Sequence, residues 1–389
     1  MQFQYRKIPL SLYIHIPWCE RKCPYCDFNS HQAKQEINEP RYVETLLTDL
    51  DADLLDFGEA VRDREIKTIF IGGGTPSLFS SKSYQILFRG LKERLDFAAD
   101  IEVTLEANPG SSEAVKFAGF KEAGINRLSI GVQSYNQQHL NRLGRVHSST
   151  EAIAAAKYAK EAGLNNFNLD LMFGLPDQTL EQSLSDLAQA IKLQPTHLSC
   201  YQLTIEPNTL FHHNPPITPK EEALWDMQEA LQKTLLEHGY EQYEVSAYSQ
   251  NSRQCRHNLN YWNFGDYLGI GAGAHGKITT IDGVYRTWKI KHPNSYLTKT
   301  SKLGGKSQVA PRTLTFEYML NALRLNNGFS ISEFEARTAQ SEHSISALIQ
   351  KHLKLGLIDK TNSQITPTLF GHNMLNNMLE DYLEHSQSE

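Results

Sequence analysis

Along the first half of the chain, short apolar runs rich in β-branched residues alternate with longer amphipathic stretches. The runs are SLYIHIP (11–17), KTIFIGGG (67–74), DIEVTLEANP (100–109), RLSIGVQS (127–134), NFNLDLMFGLP (166–176) and HLSCYQLTIEP (197–207). Near-continuous apolar strands separated by helix-length spacers predict a parallel sheet with crossover helices. EAIAAAKYAKEAG (151–163) is the clearest of those helices, Ala-rich and stopped by Gly163. Six strand–helix units make an α/β fold, either a partial barrel or a doubly wound sheet, and both collect ligands at the carboxyl ends of the strands. The unusual residues fall there: Cys19 after the first run, Gly72 to Thr75 after the second, Glu106 after the third, Gln133 after the fourth and Asp170 within the fifth.

The second half changes character. TPKEEALWDMQEALQKTLLEHG (218–239) predicts a helix with Thr218 as N-cap, Pro219 at the first helical position and Gly239 as its stop. A strand (EQYEVSAYS) and a Gly-rich stretch, YLGIGAGAHG (267–276), follow, and from about residue 313 the pattern is helices plus a short hairpin, similar to a small winged helix. The expected division is a barrel over 1–240, a β-rich linking region over 241–312 that carries HNLNYW, and a C-terminal α+β unit over 313–389.

Charge narrows the partners. The net charge is −6 over 389 residues, and −4 over 313–389, which gives no attraction for a phosphate backbone even with a winged-helix-like unit. Nucleic acid is therefore not expected as a partner. No apolar run approaches the roughly 20 residues that span a bilayer, and the amino terminus lacks a signal-peptide core, so the expected location is the cytoplasm.

The chemistry lies in the cysteines. Three of the five fall within eight positions, Cys19, Cys23 and Cys26 in C-x3-C-x2-C spacing, where a disulfide framework makes little sense. Three thiolates on one short loop can ligate three corners of a cubane 4Fe–4S cluster and leave the fourth iron open to an exogenous ligand. The alternative is a zinc knuckle completed by His15 or His31. Cys200 and Cys255 read as small buried hydrophobes. Glycines in Gly72-Gly73-Gly74-Thr75-Pro76 let the backbone approach a ligand closely, or simply make a tight turn. Glu106 and Asp170 sit in apolar contexts where an unpaired carboxylate is costly; a barrel arginine such as Arg127 is one possible partner. HNLNYW (257–262), outside the barrel region, offers a histidine that can ligate haem iron and aromatic area for a porphyrin face, although by composition alone it reads as a surface loop. His275, in GAGAHG, reads as a satisfied structural histidine before a second haem candidate.

These motifs together resemble the radical S-adenosylmethionine superfamily: the cysteine spacing with Tyr25 before the third cysteine, and YIHIPWC, CPYCDF, IGGGTPS, LEANP, GVQS, LDLMFGLP and HNLNYW. Over nearly the whole chain the resemblance is to its subfamily of oxygen-independent coproporphyrinogen III oxidase (HemN), most closely to the haem-chaperone branch, HemW. It implies a partial (β/α)6 TIM-type barrel and a 4Fe–4S cluster on Cys19, Cys23 and Cys26. The same pattern implies S-adenosylmethionine held by Tyr13, Tyr25, Gly73, Gly74, Thr75, Glu106, Gln133, Arg145 and Asp170, with the glycine loop on the methionyl amino group. His257, Tyr261 and Trp262 are implied to contact haem. The implied partners are haem, acceptor haem proteins including membrane-associated respiratory ones, and an electron donor for the cluster. The oxidases carry a further cysteine two positions after the third, where this chain has Phe28. That departure, with HNLNYW, argues against porphyrinogen decarboxylation, the alternative activity of this subfamily.

Overall fold

The computed structural model describes residues 3–110, 116–250 and 252–388. Twelve strands form one sheet: β1 (Leu10–Ile16), β2 (Ile66–Gly73), β3 (Phe97–Ala107), β4 (Arg127–Gln133), β5 (Phe167–Phe173), β6 (His197–Gln202), β7 (Glu241–Glu244), β8 (Ala247–Ser249), β9 (Asp266–Ile270), β10 (His275–Thr279), β11 (Val284–Lys289) and β12 (Leu303–Gln308). Their order is β12-β11-β10-β9-β1-β2-β3-β4-β5-β6-β8-β7. β1 to β6 run parallel in sequence order, as the apolar runs predict. A seventh parallel strand was not foreseen: β9 pairs with β1 from Leu10↔Asp266 to Ile14↔Ile270, so the Gly-rich stretch after residue 265 belongs to the sheet. Antiparallel strands extend both edges.

Side chains alternate across this sheet more strictly than the apolar runs suggest. Leu12, Ile14, Ile69, Ile71, Leu105, Leu128, Ile130, Leu169 and Leu198 form the core under the helices. Their neighbours in sequence turn the other way, into the concave side: Tyr13, Phe70, Glu106, Arg127, Ser129, Asn168, Asp170, His197 and Ser199 line cavities there. The period of two is simply the strand period. It gives the barrel a polar lumen instead of a packed one.

Local signals set the helices. Ser148 and Glu151 form a capping box at the start of Ser149–Glu161, and Gly163 at φ 72° lies just beyond its end, as expected. The helix Glu221–Glu237 begins later than Thr218 and Pro219 suggest. Glu221 and Glu222 occupy its first turn, where the helix dipole favours carboxylates. The C-terminal part holds a three-stranded sheet built on the hairpin Ile358–Thr361 and Gln364–Pro367, with helices around a second core that includes Leu314, Tyr318, Phe334 and Met378.

Two buried ion networks tie the late strands to the barrel. Lys289 Nζ lies 2.6 Å from both Asp49 and Asp53 of the helix Glu39–Val61. Asp266 lies 2.9 Å from Arg64 and 2.9 Å from Lys277. Among the described residues no helix is long and apolar enough to cross a membrane.

Candidate functional site

The loop that leaves β1 carries Cys19, Cys23 and Cys26, and all three sulfur-bearing residues line one cavity of about 370 Å³ at the carboxyl ends of the parallel strands. Asn29, just beyond Cys26, anchors the loop: its Nδ2 donates to the carbonyls of Ala272 (2.9 Å) and Lys291 (2.8 Å), and its own carbonyl meets His15 Nε2 at 2.9 Å. Among the described residues no three Cys, His, Asp or Glu side chains are grouped to hold a metal ion. His15 bonds to Tyr13 and Asn29, and His31 to Asn29. Burial and the neighbouring Cys26 and Cys23 thiols push Cys19 up to about 11, and burial raises Cys26 despite its contact with Ser30. Such thiols become thiolates when a metal supplies the balancing charge. Three of them spread along one cavity wall suit a multi-iron cluster better than a single ion.

The second wall is the turn after β2. The Gly74 N–H donates to the Ile16 carbonyl (2.7 Å) and the Thr75 N–H to the Trp18 carbonyl (2.6 Å), which fixes the glycine turn against the cysteine strand. Gly73 has φ +118°, and a Cβ there would fall 2.6 Å from the His15 ring; one at Gly74 would fall 2.3 Å from the Trp18 carbonyl oxygen. Only glycine fits at both. The Gly73 N–H donates to Glu106 Oε2 at 3.0 Å, so the N–H groups of Gly73, Gly74 and Thr75 are all taken. What this turn has left to offer a ligand is carbonyl oxygen, suited to an ammonium group.

Glu106, Gln133, Arg145 and Asp170 meet in the same cavity, as do Tyr25, Gly73, Gly74 and Thr75. Arg145 Nη2 donates to Asn108 Oδ1 and the Gly131 carbonyl, each at 2.7 Å, and its Nη1 stands 3.8 Å from Cys23 Sγ. Gln133 ends β4 with φ +68°, a strained conformation for a side-chain-bearing residue and a frequent mark of a functional position. Asp170 accepts from Ser129 and Asn168 and is raised by burial, against those hydrogen bonds. Glu106 is raised to about 7, by burial first and then by Asp170. Of the two, Asp170 feels the charge of Arg127, which lowers it. Tyr13 stands apart from this group: it lines the lumen below, with its hydroxyl 3.0 Å from His15 Nδ1. Asn108, which donates to Thr75 Oγ1 at 3.0 Å while accepting from Arg145, is a site residue that the sequence analysis missed. Its signal was the alternation of β3, which continues from Glu106 to Asn108.

Below this site the cavity opens into the lumen, a further space of about 760 Å³. HNLNYW does not form a surface loop. It lies on the helix Arg256–Trp262 packed against the barrel, and His257 is buried. Glu102 of β3 accepts the N–H groups of Arg256 (3.3 Å) and His257 (3.2 Å), a helix start supplied from a distant strand. His257 Nδ1 lies 2.7 Å from Thr68 Oγ1 and its Nε2 3.0 Å from the Tyr261 hydroxyl. Burial, then the charge of Arg127, holds His257 down at about 3, so the ring is neutral. Tyr261 shares the lumen face with His257, one helical turn on, whereas Trp262 turns away to a separate recess beneath Arg324, 4.3 Å from its ring. Trp262 therefore faces a different recess from His257, one that Tyr261 also lines. Cys200 and Cys255 are buried, as expected, and His275 is exposed at the lumen rim instead of being a satisfied structural residue.

Residues 13–188 match the radical SAM superfamily. The chain is 50% identical over 376 residues to the heme chaperone HemW of Escherichia coli strain K12, covering 96% of this chain and 98% of the relative. The heme chaperone HemW of Haemophilus influenzae strain Rd is likewise 50% identical, with the same coverage. Among solved structures, coproporphyrinogen III oxidase (HemN) from Escherichia coli is similar over 97% of this chain and 91% of that one, with a TM-score of 0.80 and 22% identity, a likeness of fold.

Proposed function

Since the chain belongs to the HemW family of the radical SAM superfamily, we propose that it is a haem chaperone that binds haem and transfers it to acceptor haem proteins. The observation that carries this reading is identity to curated heme chaperones at 50% along 96% of the chain. The resident groups of the proposal are a 4Fe–4S cluster on Cys19, Cys23 and Cys26 and S-adenosylmethionine beside it. When bound, the cluster supplies an electron source and an open iron next to the cofactor.

The chain's own residues hold and shield these groups. The glycine turn from Gly73 offers carbonyls to the cofactor's ammonium, Glu106 and Asp170 face its positive charge, and Arg145, steered by Asn108, suits its carboxylate. Gln133 and Tyr25 close the remaining sides. Haem is proposed to enter the lumen, where His257 and Tyr261 lie on one helix face. An iron ligand at His257 Nε2 first requires displacement of the Tyr261 hydroxyl. Trp262 fixes that helix to the C-terminal unit.

The test is anaerobic reconstitution of the full chain with iron and sulfide, titration with ferric haem followed in the Soret region, and mixing with an apo haem protein. Saturable binding and recovery of a holo acceptor are expected. Coproporphyrinogen supplied with S-adenosylmethionine and reductant is expected to remain unconverted; formation of protoporphyrinogen would replace the chaperone reading with the oxidase one.

A further inference from the structure

Arg127 opens β4 with its side chain on the lumen side, and it is among the largest fully buried side chains of the protein at 1% exposure. A buried guanidinium normally has its five donors satisfied and its charge paired. Here Nε has no hydrogen-bond partner, and Glu102 and Asp170 act on the guanidinium through their charge, raising it against its burial. The hydrogen bonds of both carboxylates go elsewhere: Glu102 caps the helix Arg256–Trp262 and Asp170 accepts from Ser129 and Asn168. Arg127 instead lines the lumen, together with Tyr13, Phe70, His197 and Tyr261. A fixed cation that lines a roomy, partly aromatic chamber, at the end of β4 away from the cysteines, and has an unbonded donor, can receive a further anion. The planar fork of arginine favours a carboxylate, and the rings favour a flat apolar body attached to it.

Building on the haem-chaperone reading, we infer that Arg127 anchors a carboxylate of the ligand taken into the lumen, a propionate where that ligand is haem. The ligand is thereby oriented with its acid end toward the barrel floor and its other edge toward the cofactor site.

Two measurements on the full chain test this. Soret titrations compare ferric haem with its dimethyl ester, whose propionates are capped, in wild type, Arg127→Met and Arg127→Lys. Wild type is expected to favour the free acid by roughly 10- to 100-fold, the range for a charge-assisted hydrogen bond. Arg127→Met loses the preference and Arg127→Lys keeps part of it. Thermal unfolding without ligand is expected to show Arg127→Met less stable than wild type, because Glu102 and Asp170 lose a charge that balances them, and Arg127→Lys closer to wild type. An unchanged acid-to-ester ratio in Arg127→Met overturns the anchor and leaves the haem reading standing; should Arg127→Met fail to fold, a ratio in Arg127→Lys equal to that of wild type overturns it. If wild type binds neither porphyrin, the haem reading fails, and the anchor is decided by 2-naphthoate against 2-naphthamide. A thermal shift from the acid alone, absent in Arg127→Met, sustains the anchor; equal shifts overturn it.

Discussion

Three thiols on one loop give a sharp expectation: Cys19→Ser, Cys23→Ser or Cys26→Ser should each remove the cluster's iron and acid-labile sulfide, while Cys200→Ser and Cys255→Ser retain both. Full iron in any single loop variant would contradict the assignment. Glu106 supplies a pH test. Its carboxyl, raised to about 7, keeps its full stability below the unfolded value and loses it as the pH climbs toward 7. Glu106→Gln should therefore stabilise the ligand-free protein above pH 7 by on the order of 1–2 kcal/mol, read as a higher melting temperature, with the gain gone near pH 4. Binding runs the other way, since a cationic cofactor needs the ionised form. Calorimetric affinity for S-adenosylmethionine should fall in wild type as the pH drops below 7, and Glu106→Gln should be weak and flat with pH. At this scale the sequence marked the residues with unusual chemistry, the cysteines, the glycine turn and the two carboxylates. It did not mark Asn108, and it offered Arg127 only as a partner for the carboxylates, because a polar residue inside a strand reads as ordinary until the strand is known to face a lumen.

Alternation is what converts strands into a site. RLSIGVQ places Leu128, Ile130 and Val132 in the core and Arg127, Ser129, Gly131 and Gln133 on the concave side, a pattern visible in the letters once the period of two is applied. The helix Arg256–Trp262 was harder to read. Its start is capped by Glu102, more than 150 positions away, so no local signal separates it from a loop. Its burial makes a second expectation. His257→Ala leaves the Thr68 and Tyr261 hydroxyls without their histidine partner and should cost about 1–3 kcal/mol in urea unfolding. Haem binding in that variant is thus informative only beside its stability curve, and a variant with unchanged stability would show that the histidine does not brace the barrel. The glycine turn behaves differently: Gly73→Ala meets both a positive φ and the His15 ring, so the turn and the cysteine strand must move together. Loss of S-adenosylmethionine binding is expected there, with the melting temperature lowered as well.

On the scale of the molecule, the barrel and the β-rich stretch after residue 240 share a single sheet, and the sequence hid this because β9 reaches β1 only after more than 200 intervening positions. The pairing covers the edge of β1, the strand that leads directly into the cysteine loop. Asp266, the first residue of β9, holds Arg64 and Lys277 at once in a site without water access, and burial lowers Lys277 to about 8 even with that partner. Removing one member of such a group strands the others as buried charges, which costs about 3–5 kcal/mol. Asp266→Asn should therefore lower the urea midpoint of the whole chain in one cooperative step, with far-ultraviolet circular dichroism and barrel tryptophan fluorescence from Trp18 moving together. A separate early transition, with the Trp18 signal unaffected, would mean that β9 and its neighbours unfold independently of the barrel. The same reasoning applies to a chain cut after residue 240. It would expose the backbone of β1 along Leu10–Ile14 and leave Arg64, Asp49 and Asp53 without their partners, so it should fail to fold into a soluble barrel and should hold no cluster, although every cysteine of the loop is present.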